Sequence, residues 1–210
     1  MRKKLGVLSP EEYISALDDF GFTGLDFKGR TDWEEEVYRT AFTHNHNLSL
    51  HGGTTATRYR ASLNYKKEEG ILPNSEQTKY SGRFNIQQTA INGKLLLDFN
   101  LTAARVQNTR PPAGIVNSIY SQNPSWPVLD ENGQFFQPVP NPIFNHPVAI
   151  LSQYSNVINS NRLLSNLTVS YEVMEGLEYK LNVGGDLSDG IGKTYSLKPI
   201  SETNGNAAIF

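Results

Sequence analysis

The 210-residue sequence contains no cysteine, which removes disulfides, thiolate nucleophiles and cysteine-ligated zinc together and leaves the redox compartment unmarked. It has no apolar run of eighteen residues or more. A transmembrane helix is therefore not expected, whereas a membrane-spanning β-barrel needs only alternating strands and stays open. Neither charge is in large excess: the formal net charge is −2 at pH 7 and the pI is near 6.1. The long-range field that gathers nucleic acid is missing, and no nucleic-acid partner is expected. Apolar residues are scarce as well, at 38% with a mean hydropathy of −0.45, which suits a β protein with one wet face or a barrel with a polar interior. The start has a basic head, but Leu5 to Leu8 is too short for the apolar core of a leader and Pro10 and Glu11 follow at once. No export signal is expected from these residues.

What is present is periodicity of two kinds. Ser9-Pro10-Glu11-Glu12 is a capping box with proline at the first helical position, followed by Tyr13, Leu17 and Phe20 on one face until Gly21. Thr31-Asp32-Trp33-Glu34 reads as a second box opening a short helix with Trp33 and Val37 one turn apart. After Ala41 the period drops to two. Leu48 and Leu50 alternate with polar neighbours up to Gly52-Gly53, and Tyr59, Ala61, Leu63 and Tyr65 alternate with Arg58, Arg60, Asn64 and Lys66. A second hairpin is expected from Tyr80 to Ala103 around Ile91-Asn92-Gly93. A third runs from Leu163 to Leu187 around Met174-Glu175-Gly176, and a seventh strand begins near Lys193. Turns inside hairpins are short, while the links between them, from Lys67 to Lys79 and from Val106 to about Ser160, are long. Short and long connections on opposite edges of an up-and-down sheet, with strands of about ten residues, are the pattern of an outer-membrane barrel. The expected fold class is all-β: an antiparallel up-and-down meander forming part of a large transmembrane β-barrel, with short helices at the N-terminus and one long loop.

Motifs for chemistry are weak. Gly192-Lys193-Thr194 matches the end of a phosphate loop, but Leu187 stands where the motif needs glycine and a strand follows, so a glycine turn is expected instead. His44 and His46 share a strand face, yet His51 has the opposite parity and His146 is distant, so no metal site and no cofactor are expected. Lys66-Lys67-Glu68-Glu69 reads as a solvated loop entrance. No nucleophile elbow and no marked pair of carboxylates appears, so the protein is not expected to be an enzyme and no catalytic residue is assigned. The long link holds eight of the eleven prolines, between Pro111 and Pro147, among Trp126, Phe135, Phe136 and Phe144. That content resists helix and sheet without suggesting disorder. Most of these rings are expected to pack the loop's own core; Trp126 is the candidate ligand-contacting ring. Tyr59, Tyr65, Tyr80, Tyr171 and Tyr179 sit near strand ends on the apolar face, as an interfacial girdle requires.

The stretch TDWEEEVYRTAFTHNHNLSLHGGTTATRYRASLNYKKEEGILPNSEQTKYSGRFNI resembles the barrel of the SusC/RagA-type TonB-dependent outer-membrane transporters of Bacteroidetes. Asn123-Pro124-Ser125-Trp126-Pro127-Val128, Asp130-Glu131-Asn132-Gly133 and Asn145-His146-Pro147-Val148-Ala149 resemble that family's large early loop. The resemblance runs from about Leu8 to Leu197. It implies glycan or peptide uptake across the cell outer membrane, with a SusD-like lipoprotein and TonB as partners of the intact transporter, outer-membrane lipid around it and a glycan or peptide as ligand. It also implies that plug, leader and most of the barrel lie outside this chain. The expected division is 1–43, a loop with short helices, and 44–210, a partial barrel of six to seven strands with its long loop near 106–160. The alternative is a soluble β-sandwich binding or adhesion domain, distinguished by whether a second sheet buries the Tyr59/Leu63 face.

Overall fold

The period-two segments form one antiparallel sheet in strict chain order, β1 to β7. The computed structural model describes residues 7–138, 146–196 and 208–209. Phe144, Asn145 and the stretch of the expected seventh strand beyond Ser196 up to position 207 lie outside them. The strands are β1 (Thr43–Gly53), β2 (Thr57–Glu69), β3 (Glu76–Ala90), β4 (Leu95–Thr109), β5 (Tyr154–Met174), β6 (Leu177–Ser196) and β7 (Ala208–Ile209). The second and third hairpins turn where expected, but the first does not: Gly52 and Gly53 pair with Tyr59 and Arg58 inside the ladder, and the chain turns at 54–56, where Thr54 Oγ1 accepts from the amides of Ala56 and Thr57. At the second, Ile91, Asn92 and Gly93 all take positive φ, and Asn and Gly tolerate this at little cost.

The link after β2 is not long: Lys66-Lys67-Glu68-Glu69 continues the strand, and the connection is 70–75. Alternation in charge does not break a strand when cross-strand and same-face partners exist; Lys66 Nζ lies 2.6 Å from Glu68, and Lys67 Nζ lies 3.4 Å from Glu69 and 3.6 Å from Glu76. The Asp189–Thr194 stretch is not a turn, because β6 runs through it against β5, with Asn161 opposite Asp189 and Val157 opposite Lys193. Its glycines sit where an extended backbone is paired along its length, so the ladder overrides their turn preference. A seventh strand does not begin at Lys193; that residue belongs to β6, and β7 is the short Ala208–Ile209. Strands of 11 to 21 residues also exceed the ten expected.

Along the ladder each row of partners shares one face. One such row reads Leu48, Leu63, Gly82, Ala103, Leu163 and Leu187; its neighbour on the other face reads Asn47, Asn64, Ser81, Ala104, Arg162 and Ser188. The apolar face is uncovered, with Leu48 71%, Leu63 64% and Leu187 69% exposed. No second sheet covers Tyr59 or Leu63 among the described residues. The sandwich alternative called for a second sheet burying that face; the described strands form one open meander instead.

The buried core lies away from the strands. Before β1, α1 (Pro10–Asp19) keeps the expected capping box, and α2 (Trp33–Val37) follows a 3-10 turn. Phe20 stays exposed and only Leu17 of the expected face is buried. The cap of α2 is Asp32, not Thr31: its carboxylate accepts from the amides of Glu34 and Glu35, while Thr31 Oγ1 donates to Trp126 O at 2.6 Å. Between β4 and β5 the chain forms α3 (Ile115–Tyr120) and α4 (Pro147–Gln153). Trp33, Val37, Ile115, Ile119 and Leu151 make one buried cluster, joined by Leu72 from the 70–75 connection and by Trp126 and Val128. Residues 7–42, 110–138 and 146–153 thus form one cap at the end of the sheet opposite the tight turns. Replacing Trp33 by alanine should cost the cap about 3–5 kcal/mol. Hydrogen exchange should then rise over 110–138 and 146–153 while the amides of β2–β4 keep their protection.

Candidate functional site

Three surfaces converge at the cap end: the cap interior, the polar face of the sheet and the aromatic edge of its apolar face. The cap is stitched across some hundred residues of sequence. Ser125, fully buried, donates from Oγ to Leu25 O at 3.2 Å, and its carbonyl accepts from Gly29 N at 2.8 Å. At Gly29 a Cβ would fall 2.4 Å from Pro127 N and from the Trp126 carbonyl carbon, so the two backbones meet only because that residue has no side chain. Trp33 Nε1 donates to Asn123 O at 3.1 Å. Asn74 Nδ2 donates to Leu151 O at 2.6 Å and Tyr154 O at 3.1 Å, tying the 70–75 connection to α4 and β5.

His146, 2% exposed, is the pin of this arrangement. Its Nδ1 accepts from Ala149 N at 3.3 Å as the cap of α4, so Nε2 carries the proton and donates to Val128 O at 2.9 Å. Trp33 and Phe135 stand edge-on and tilted against the ring, with centroids 5.2 and 5.1 Å away. Burial pushes the imidazole below its ordinary value. The sequence shows His146 only as a loop histidine distant from the others; the signal for its role is its place just before Pro147, where a helix cap belongs.

A cleft of about 620 Å³ opens between α1, α2 and α3, with Tyr13, Asp32, Glu34, Tyr120 and Asn123 on its walls. Asn123 Nδ2 donates to Tyr13 Oη at 2.9 Å, and the Tyr38 and Tyr120 hydroxyls lie 3.3 Å apart. The Tyr38 hydrogen bond, burial and the nearby Glu34 all hold the Tyr120 hydroxyl protonated well above its usual range. Trp126, the expected ligand contact, is half-buried: it packs on the cap core and meets Phe27 edge-on at 6.2 Å, while Phe27 also meets Phe136 at 5.9 Å.

The polar face carries Arg58, Arg60 and Asn64, as the alternation implies. Asn64 Nδ2 donates to Asn45 Oδ1 at 2.6 Å, and Arg58 and Arg60 stand exposed. Toward β5 and β6 the same face is tied together: Asn166 to Asn182 at 2.9 Å, Asn182 to Thr168 at 2.9 Å, and Arg162 to Asp186 through two bonds of 2.9 and 2.6 Å. On the apolar face, the row above the leucines holds His46, Tyr65, Tyr80, Arg105, Asn161 and Asp189. Tyr65 and Tyr80 are directly opposed with ring centroids 5.1 Å apart, and Tyr171 opposes Tyr179 at the other end of the face. His44 and His46 share that face, 5.4 Å apart, against Tyr65. No cluster of three or more metal-ligating side chains occurs among the described residues, and no helix there is long and apolar enough to cross a membrane.

The sequence is 24% identical to the TonB-dependent receptor SusC of Bacteroides thetaiotaomicron over 97% of this chain and 23% of that protein. It is 21% identical to the TonB-dependent receptor P3 of Formosa agariphila over 86% of this chain and 19% of that protein. The chain is related to the SusC/RagA-type TonB-dependent receptors. Solved structures agree on the fold: a RagAB peptide transporter superposes with a TM-score of 0.71 at 18% identity, covering 94% of this chain and 27% of that one. The closed-closed RagAB peptide importer superposes with a TM-score of 0.65 at 22% identity, covering 82% and 21%. No family model matches the chain. The chain spans between about a fifth and a quarter of the length of these receptors.

His146 makes the cap pH-sensitive in a defined direction. Because its folded value is depressed, its contribution is fully present above the ordinary imidazole value of about 6.5 and is lost as pH falls from there through the lowered value. Proteolysis of the 110–138 segment should accelerate below about pH 6.5, and His146→Asn, which retains a capping side chain, should remove that step.

Proposed function

We propose that the chain is a stretch of the barrel wall of an outer-membrane TonB-dependent transporter that takes up a glycan or peptide nutrient. The observation that carries this is an uncovered apolar face with aromatic residues at both ends, set back to back with a largely polar face. On β5 the apolar face runs from Leu163 to Val173, interrupted at Ser165. That is roughly 34 Å of strand at ~3.4 Å per residue, and roughly 25 Å of height at a tilt of ~40°, the height of a barrel's apolar band. The band also slants across the ladder. Its upper edge is Tyr65 and Tyr80 on β2 and β3 but Leu163 and Leu187 on β5 and β6. Its lower edge likewise drops from Tyr59 and Ile86 to Tyr171 and Tyr179. Strands tilted to a membrane normal give such a slant, since a horizontal belt crosses successive strands at successive registers.

In this reading the polar face lines the lumen, with Arg58, Arg60 and Asn64 among its groups, and the cap forms part of the outside mouth. Residue 43 is the point where cap gives way to wall. Trp126, half-buried in the cap beside Phe27, is the proposed ligand-contacting ring, and the cleft walled by Tyr13, Asp32, Glu34 and Tyr120 supplies hydroxyl and carboxylate partners for a sugar or peptide. A SusD-like lipoprotein and TonB are the proposed partners of the whole transporter, and the outer membrane its location. The receptor names of the relatives support this over an enzymatic role.

The two faces make opposite demands on one strand. In the full-length protein reconstituted in bilayers, Leu63→Arg places a charge in hydrocarbon and should cost about 2–4 kcal/mol and most of the folded yield. Asn64→Arg, one residue on, should fold as the parent does. Equal tolerance at both positions would sink the lipid-facing assignment. Trp126→Leu, which keeps an apolar side chain against the cap core but removes the flat ring, should weaken binding of the transported ligand by about tenfold, ~1.4 kcal/mol, with cap protection in hydrogen exchange largely kept.

A further inference from the structure

We propose that the apolar face carries a discrete site for one phosphate-bearing lipid, its chain in a trough floored by Gly82 and Ala103 and its phosphate on Arg105. This rests on the lipid-facing reading above and adds to it a particular occupant and position. Four of the six residues in the Leu48 row are leucines; the two central ones, Gly82 on β3 and Ala103 on β4, are small. Between Leu63 and Leu163 the surface therefore sinks toward the backbone. A Cβ at Gly82 would meet only Leu63 Cδ2 at 3.4 Å and Ser62 O at 3.9 Å, so no side chain fills the floor. The hollow measures about 910 Å³, and a second one of about 480 Å³ continues it down the strands between Leu50, Ala61, Phe84 and Leu101.

The rim of the same hollow is polar. His46, Tyr65, Tyr80, Arg105 and Asp189 lie one outward row above the leucines and line it together with them. Asp189 accepts from Asn161 Nδ2 at 3.0 Å. Arg105 is exposed and forms no ion pair among the described residues, so its planar donor fork is available for two parallel bonds to a phosphate. The clustered rings of His46, Tyr65 and Tyr80 stand beside it at the level where amphipathic rings favour a membrane interface. An anion alone would gain nothing from the trough, and a hydrocarbon alone nothing from Arg105. Joined in one hollow in the order tail below and head above, they fit an amphiphile.

The test uses the full-length protein that carries this chain, purified in detergent, with native mass spectrometry counting retained lipid. Phosphatidylglycerol should be retained and phosphate-free diacylglycerol should not. Arg105→Gln should lower retention about tenfold, the worth of one charge-assisted contact. Ala103→Phe, which fills the trough and leaves Arg105 in place, should lower it comparably, with β-type circular dichroism confirming the fold of both variants. Unchanged retention in both variants overturns the proposal, as does displacement of the lipid by excess inorganic phosphate, which would mean an anion site without a tail. A parent protein that leaves detergent for water overturns the lipid-facing reading and this site together. One that stays in detergent without discriminating between the two lipids overturns the site alone.

Discussion

A backbone amide that leaves water must find its partner in the chain, and in hydrocarbon nothing else is on offer. The ladder from β1 to β6 meets that demand without interruption over most of its length, apart from the bulge before the β5–β6 turn. Everything else about the sheet follows from it. Unbroken pairing fixes the register, register fixes which residues share a face, and the faces then divide into one of leucine, tyrosine and phenylalanine and one of arginine, asparagine and serine. A slip of a single residue on β2, β3 or β5 would set Arg58 and Arg60, Arg83 or Arg162 among the leucines.

Burial and pairing are handled by different parts of the molecule. The strands contribute long-range hydrogen bonds but almost no buried apolar side chain of their own. The cap contributes nearly all of the buried apolar side chains from short helices that could not stand alone. The two parts meet where Leu72 and Asn74 of the 70–75 connection reach Leu151 and Tyr154. Stability of the cap is therefore a property of water-soluble packing, and stability of the sheet a property of its surroundings. Changes of pH at His146 and changes of lipid at Arg105 address separate halves of the structure.

The sheet was largely legible in the sequence because period two survives in each of its six long strands, and the turns at Ile91-Asn92-Gly93 and Glu175-Gly176 carry their own chemistry; the first turn falls just past Gly52-Gly53, on Thr54. Strand ends were not legible. Lys66-Lys67-Glu68-Glu69 and Asp189-Gly190-Ile191-Gly192 look like loops in isolation, and only the partner strand makes them extended. The first helix was fully specified by Ser9, Pro10 and Glu12, whereas the second was assigned to Thr31 when Asp32 does the capping, because both residue types cap well and tertiary demand on Thr31 decides between them. Within the cap, Trp33 and Trp126 were visible as large rings. Their neighbours were not, since Ser125 with Leu25 and His146 with Val128 are contacts that no spacing encodes.

The ribbon made by β5 and β6 does not stop at the aromatic edge. Beyond Leu163 and Leu187 it continues up to Tyr154 and Ser196, roughly 30 Å of paired strand. On the proposed barrel reading, with the Tyr65 and Tyr80 row at headgroup height, that length would stand clear of the membrane as a stiff wall beside the cap. Its stiffness comes from pairing alone, so the ribbon gives the cap a fixed flank without lending it any core.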